Sequence, residues 1–224
     1  TVADSLEPTP DALVPTAIYL GPTVGAGSVV VDAETFNENS EDNCTPDNLL
    51  RYNVSRDGLP FAQTITFTCA DITTPVNVTL RVFDLNNNYA DVVQPGVTVR
   101  DTVDPVFLSD PLLIDGNCAV AENAGVGYLT HVPDLELIEG THYGDNCSVS
   151  QIYYKIVNVD YPAYSDAGYT LLNNWTDLYN RNFYEGDSEV WFYLVDASGH
   201  ESIRKVMFNV EVLDMPNPTG FGGN

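Results

Sequence analysis

The sequence predicts an all-β chain of two tandem antiparallel β-sandwiches, and three observations carry that expectation. The composition favours strands, a unit of domain length recurs, and apolar residues alternate with polar ones between turn-forming clusters. Of the 224 residues, 44% are apolar, with 13 Tyr and 9 Phe against only 2 Met. Branched and aromatic side chains suit a pleated, half-buried surface. That apolar content is enough for a packed core and argues against disorder.

The repeat is marked by three junctions of the form Val-x-Asp-x-x-x-Pro. Residues 1–8 (TVADSLEP) align with residues 98–105 (TVRDTVDP), and a weaker copy spans residues 211–218 (EVLDMPNP). Asp4 and Asp101 lie 97 residues apart, and Asp101 and Asp214 lie 113 apart. These are immunoglobulin-like lengths. Inside each unit, Asp42-Asn43-Cys44 recurs as Asp145-Asn146-Cys147. A late strand ending in an Asp-led turn also recurs, at residues 78–88 and 189–200. The expected organisation is a linker or end of a preceding repeat over 1–8, sandwiches over 9–103 and 104–214, and a linker or tail over 215–224.

Strand signals in the first unit fall at residues 17–20, 28–32, 50–54, 64–69, 76–84 and 96–100. In the second they fall at 152–156, 189–196 and 206–213. Gly, Asn, Asp and Pro clusters separate them, the pattern of antiparallel strands joined by turns. No segment holds a helical period. The stretch 160–185 is too long for a plain turn and reads as a decorated loop.

The four cysteines contain no Cys-x-x-Cys pair, which excludes a zinc ribbon on spacing. Their even number in an acidic, β-rich chain favours disulfides and an oxidising compartment. Keeping both bridges inside their own units selects Cys44–Cys69 and Cys118–Cys147. Loops of this length give roughly 3–4 kcal/mol each in the chain-entropy model.

The formal charge of −24, from 32 acidic and 8 basic residues, repels nucleic-acid phosphate and anionic membranes. It suits an extracellular surface or a protein that holds divalent cations. No apolar run is long enough to span a bilayer. The chain has no initiating Met and no signal peptide, so it reads as a mature segment of a longer protein.

Residues 39–44 (NSEDNC), 62–72 (AQTITFTCADI), 78–88 (VTLRVFDLNNN) and 99–105 (VRDTVDP) together resemble the repeats of giant cell-surface adhesins of Bacteroidota-type gliding bacteria, and the related hyalin repeats. The resemblance covers most of the first unit and the landmarks of the second. It implies immunoglobulin-like modules in long arrays at the cell surface, extending a stalk or filament that displays distal binding regions. It also implies O-glycosylation at Asp-Ser/Thr-apolar triplets, here Ser5 and Thr102. Asn-x-Ser/Thr sequons stand at Asn43, Asn53, Asn77, Asn146 and Asn174.

No catalytic constellation emerges. His131, His142 and His200 are the only histidines and no Gly-x-Ser-x-Gly elbow is present, so the chain is expected not to be an enzyme. Calcium is the candidate cofactor, because a hard cation takes carboxylate and carbonyl oxygens. The candidate ligands are Glu41, Asp42, Asp84, Asp101 and Asp104 in the first unit, and Asp145, Asp196 and Asp214 in the second. Aromatic residues of the decorated loop, Tyr161, Tyr164, Tyr169, Trp175 and Tyr179, are candidates for stacking on a glycan or a protein partner. The expected partners are neighbouring repeats and other subunits of a surface fibre. The alternatives are a glycan- or protein-binding module, and accessory domains of a secreted hydrolase.

Overall fold

Apolar residues at alternate positions bury one face of the strands over residues 76–83 and 186–196, and the core of each unit forms on those faces. The computed structural model describes residues 4–13, 17–109, 136–179, 181, 183–184 and 186–210. The chain divides into two units, Thr1–Val103 and Asp104–Asn224. Both are built of β-strands, and the longer sheets are antiparallel.

In the first unit the strands are β1 (Ile18–Tyr19), β2 (Ser28–Asp32), β3 (Arg51–Arg56), β4 (Thr64–Thr68), β5 (Val76–Phe83), β6 (Tyr89–Val97) and β7 (Val99–Arg100). β3, β5 and β6 form one antiparallel sheet and β2 pairs antiparallel with β4. β1 pairs with β7 in parallel, a departure from the expected antiparallel pattern. Val76, Val78, Leu80 and Val82 of β5 and Ile65 and Phe67 of β4 all point inward. A 3-10 turn over Ala33–Phe36 delivers Phe36 into the same core, its ring 6.5 Å from that of Phe67.

β6 begins at Tyr89, seven residues before the strand expected from residue 96. Only Gln94 and Val97 of its nine residues are buried, so it lacks the apolar alternation that marks a strand in sequence. The register with β5 jumps between Val76 and Val78, and Gly96 takes φ +74° at that bulge.

In the second unit, β8 (Val106–Phe107) pairs with β9 (Tyr143–Gly144). β10 (Val149–Asn158), β11 (Thr170–Leu171), β12 (Gly186–Asp196) and β13 (Glu201–Val210) form one sheet in the order β11–β10–β12–β13. Its core holds Tyr154, Ile156, Leu178, Phe183, Val190, Phe192 and Val206. Two of these, Leu178 and Phe183, come from the segment read as a decorated loop. That segment carries a short helix, α1 (Trp175–Tyr179), and Trp175 packs against the core with its ring 6.1 Å from Phe192. The loop therefore covers the sheet's apolar face. A five-residue helix is too short to show a helical period, so no helix was expected there.

The expected Cys44–Cys69 bridge is not formed. Cys44 is a free, exposed thiol. It lies beside Asp42, near the hairpin turn at Asp84 that Arg51 reaches from the start of β3. Cys69 follows β4 beside Asp71, which Arg56 engages from the end of β3. The length of β3, about 17 Å from residue 51 to residue 56, separates those two ends, whereas a disulfide needs Cα atoms within about 7 Å. Cys69 and Cys147 are each disulfide-bonded. Cys118, and with it the Cys118–Cys147 pairing, lies outside the described residues.

Candidate functional site

Three aspartate positions recur along the chain, and each aspartate makes the same local bonds as its counterpart. The first place is the junction segment, where Asp4 Oδ1 accepts the Leu6 N–H at 3.1 Å and Asp101 Oδ1 accepts the Val103 N–H at 3.0 Å. The second is the Asp-Asn-Cys loop. Asp42 Oδ2 accepts the N–H groups of Cys44 and Thr45 at 3.0 and 2.7 Å. Asp145 Oδ2 accepts those of Cys147 and Ser148 at 2.9 and 3.1 Å.

The third place is a hairpin turn. Asp84 Oδ1 accepts the N–H groups of Asn86 and Asn88, and Asp196 Oδ1 those of Ser198 and His200. Each turn closes on a backbone bond at 3.1 Å, from Asp84 N to Asn88 O and from Asp196 N to His200 O. The fourth residue of each turn has positive φ, +68° at Asn87 and +89° at Gly199, and Asn and Gly are the residues that tolerate it. Even the closing side chains correspond: Asn88 Nδ2 donates to Asp84 Oδ2 at 2.7 Å, and His200 Nδ1 lies 2.9 Å from Asp196 Oδ2.

In the first unit these three aspartates converge. Asp4, Asp42 and Asp84 each bring a carboxylate oxygen within 4.8 Å of the other two. Asp84 is completely buried, and Asp4 and Asp42 are half-buried. Asn88 ties the group together, since Nδ2 also donates to the Asp4 carbonyl at 3.2 Å. Thr45 Oγ1 accepts the Leu85 N–H and so joins the loop to the turn. Asp4 Oδ2 and Asp42 Oδ1 are buried and meet no N–H or O–H donor, and the Asp4 carboxylate has only the weakly donating Cys44 thiol beside it. Backbone bonds from Cys44 and Thr45 hold the Asp42 carboxyl below its ordinary pKa. Desolvation and the Asp4 carboxylate push the Cys44 thiol up. Calcium is the group these residues fit, because every free donor is a carboxylate oxygen and two of them are buried without a partner.

Of the candidate ligands, Asp42 and Asp84 thus meet in one cluster, together with Asp4, which is not among the residues expected from the sequence. The junction alignment of Asp4 with Asp101 was the signal that would have found it. Asp101, Asp145 and Asp196 are buried and occupy the equivalent turns. Glu41 is exposed and joins Thr9 through its backbone, and Asp104 is exposed. Neither belongs to an acidic cluster among the described residues. Asp214 lies outside them.

The aromatic candidates divide. Trp175 is committed to packing. Tyr164 stacks on Tyr184 at 4.6 Å, and Tyr161 meets the same ring at 5.9 Å. Tyr169 and Tyr153 each lie 5.5 Å from Tyr193. A hydrogen bond to Glu201 pushes the Tyr193 hydroxyl pKa up to about 12. Tyr164 and Tyr169 are 46% and 40% exposed. The side chain of Tyr179 lies outside the described residues. Ser5 and Thr102 are exposed, whereas burial of Asn146 bars a glycan at that sequon. Asp32 and Glu34, weaker calcium candidates on sequence grounds, line a polar cleft of about 600 Å³ with Asp47, Arg51, Tyr52 and Gln63, which are too scattered in sequence to be foreseen.

No family model matches the chain, and no curated protein matches it. Among solved structures, extracellular domains 3–5 of Drosophila OTK align at 14% identity and a TM-score of 0.26, over 92% of this chain and 59% of that one. No helix among the described residues is long and apolar enough to cross a membrane.

Proposed function

We propose that this chain is a structural repeat segment of an extracellular cell-surface protein, an adhesin, stalk or filament, and has no catalytic role. The observation that carries the proposal is the aspartate frame repeated at junction, loop and turn. Selection for a catalytic or glycan-binding site would concentrate unusual geometry in one unit. Here the shared features are those that build a module and its junction. Disulfide-bonded Cys69 and Cys147 are in keeping with an oxidising compartment. The motif resemblance to Bacteroidota-type adhesins and hyalin repeats supports the finer reading, with neighbouring repeats and fibre subunits as partners.

Electron microscopy of the intact native protein, labelled with an antibody against this segment, tests the proposal. Label along a surface stalk or fibre is the expected result. Label on a compact soluble particle, or catalytic turnover mapped to these residues, overturns it. The exposed rings of Tyr164 and Tyr169 favour a second reading, a glycan- or protein-binding face on the second unit. Glycan-array binding lost in a Tyr164→Ala, Tyr169→Ala double variant would select that reading.

A further inference from the structure

We propose that Asp4, Asp42 and Asp84 bind a calcium ion that clamps the junction segment onto the first unit. The inference goes beyond the repeat reading and does not depend on it. Two oxygens bound to one calcium ion at about 2.4 Å each can be no more than about 4.8 Å apart. The three carboxylates meet that limit. Convergence alone would not make a site, because each aspartate also caps its own turn. The independent observation is what each has left over. Capping occupies one oxygen of Asp4 and one of Asp42, and their second oxygens, Asp4 Oδ2 and Asp42 Oδ1, are buried without an N–H or O–H donor; the neutral Cys44 thiol beside Asp4 supplies no counter-charge.

Buried carboxylate oxygens are ordinarily paired, because desolvating a charge without compensation is costly. No Lys, Arg or His among the described residues forms an ion pair with any of the three. Arg51 reaches the Asp84 backbone carbonyl and Asn87, not the carboxylates. The missing counter-charge is therefore cationic and small. An all-oxygen donor set selects a hard cation, and half-exposed Asp4 and Asp42 leave room for water to complete six to eight ligands, which suits calcium better than magnesium. Three carboxylates completed by water place the dissociation constant on the order of 10⁻⁴–10⁻³ M, the range of extracellular modules.

The test uses the whole chain, stripped with chelator and returned to physiological salt. Calcium bound at equilibrium is measured by dialysis and atomic emission, with magnesium as the control. The variants are Asp4→Asn and Asp42→Asn, which keep a side-chain oxygen for the turn bonds. Asp84→Asn is avoided because its hairpin needs both oxygens. Each variant should lose one equivalent of calcium, and its melting temperature should rise less on calcium addition than the wild type's. In chelator, Asp4→Asn should melt no lower than wild type, since a like charge has been removed. The proposal is overturned if wild type binds no calcium in physiological salt, or if the variants keep its stoichiometry and affinity. It is also overturned if Asp4→Asn loses the same stability with and without calcium, which would make the residue a turn cap only. A negative result here leaves the microscopy test of the repeat reading untouched.

Discussion

Replacing Phe183 with alanine asks whether the segment 160–185 is a binding loop or part of the core. Phe183 is fully buried and belongs to the cluster formed by Tyr154, Ile156, Leu178, Val190, Phe192 and Val206. A buried Phe ring removes about 150 Å² or more from water, roughly 4 kcal/mol at ~25 cal/mol per Å². Measured Phe→Ala losses in cores run about 3–5 kcal/mol, because the cavity collapses only in part. For a unit of this size, at about 4 °C per kcal/mol, the melting temperature should fall by roughly 12–20 °C. The assay is urea unfolding followed by tryptophan fluorescence. Trp175 and Trp191 are the only tryptophans, and both lie in the second unit, so the signal reports on the right half of the chain. Tyr164→Ala is the control, since that ring is 46% exposed and its stacking on Tyr184 contributes about 0.5–1.5 kcal/mol. If Phe183→Ala costs less than about 1 kcal/mol, or no more than the control, the segment is a surface decoration and the packing argument fails.

Three further outcomes follow from the same structure. Cys44 should take up one equivalent of maleimide without denaturant, at a rate that keeps rising above the usual thiol range, because desolvation and Asp4 hold its pKa up; peptide mapping that finds Cys44 in a bridge would refute this. The hydrogen bond from Arg56, nearly opposed by desolvation, holds the Asp71 carboxyl below its ordinary value. Its stabilising contribution is therefore present above the unfolded carboxyl pKa and is lost as pH falls through the folded one, so Asp71→Asn should flatten the acid limb of the stability profile, read by denaturant midpoints from neutral pH down to below the ordinary carboxyl value of 3.8. Gly186→Ala should destabilise the second unit by more than about 1 kcal/mol, because φ is +100° and a Cβ would lie 2.2 Å from Asp160 Oδ2, which itself accepts the Asp187 N–H; calorimetry showing an unchanged melting temperature would refute it.

The readability of this chain tracks how local each signal is. β2 and β5 were visible because alternation and bounding turns lie within a few residues of each other. β6 was mostly missed because its outward face carries Tyr89 and Val93 while its inward face holds Gln94, so apolar and polar residues do not alternate. The Cys44–Cys69 pairing failed for a different reason. Confining each bridge to its own unit narrows the connectivity but ignores which pole a cysteine occupies, and β3 holds Cys44 and Cys69 apart. The aromatic segment misled because residue type says nothing of direction: Trp175 and Phe183 turn inward, while Tyr164 turns out.

The acidic site shows the strength and the limit of reading repeats. Asp42 and Asp84 were singled out because their motifs recur, and Asp4 was overlooked although its motif recurs equally well. A junction aspartate looks like linker chemistry when it is taken alone. It becomes a ligand candidate only when the hairpin turn, some eighty residues away, folds back so that Asn88 holds its carbonyl. A turn cap needs one aspartate and its own backbone, and it can drift independently of the others. A shared counter-ion needs all three. Loss of a single calcium equivalent on changing Asp4 alone would therefore tie the junction segment to the body of the first unit.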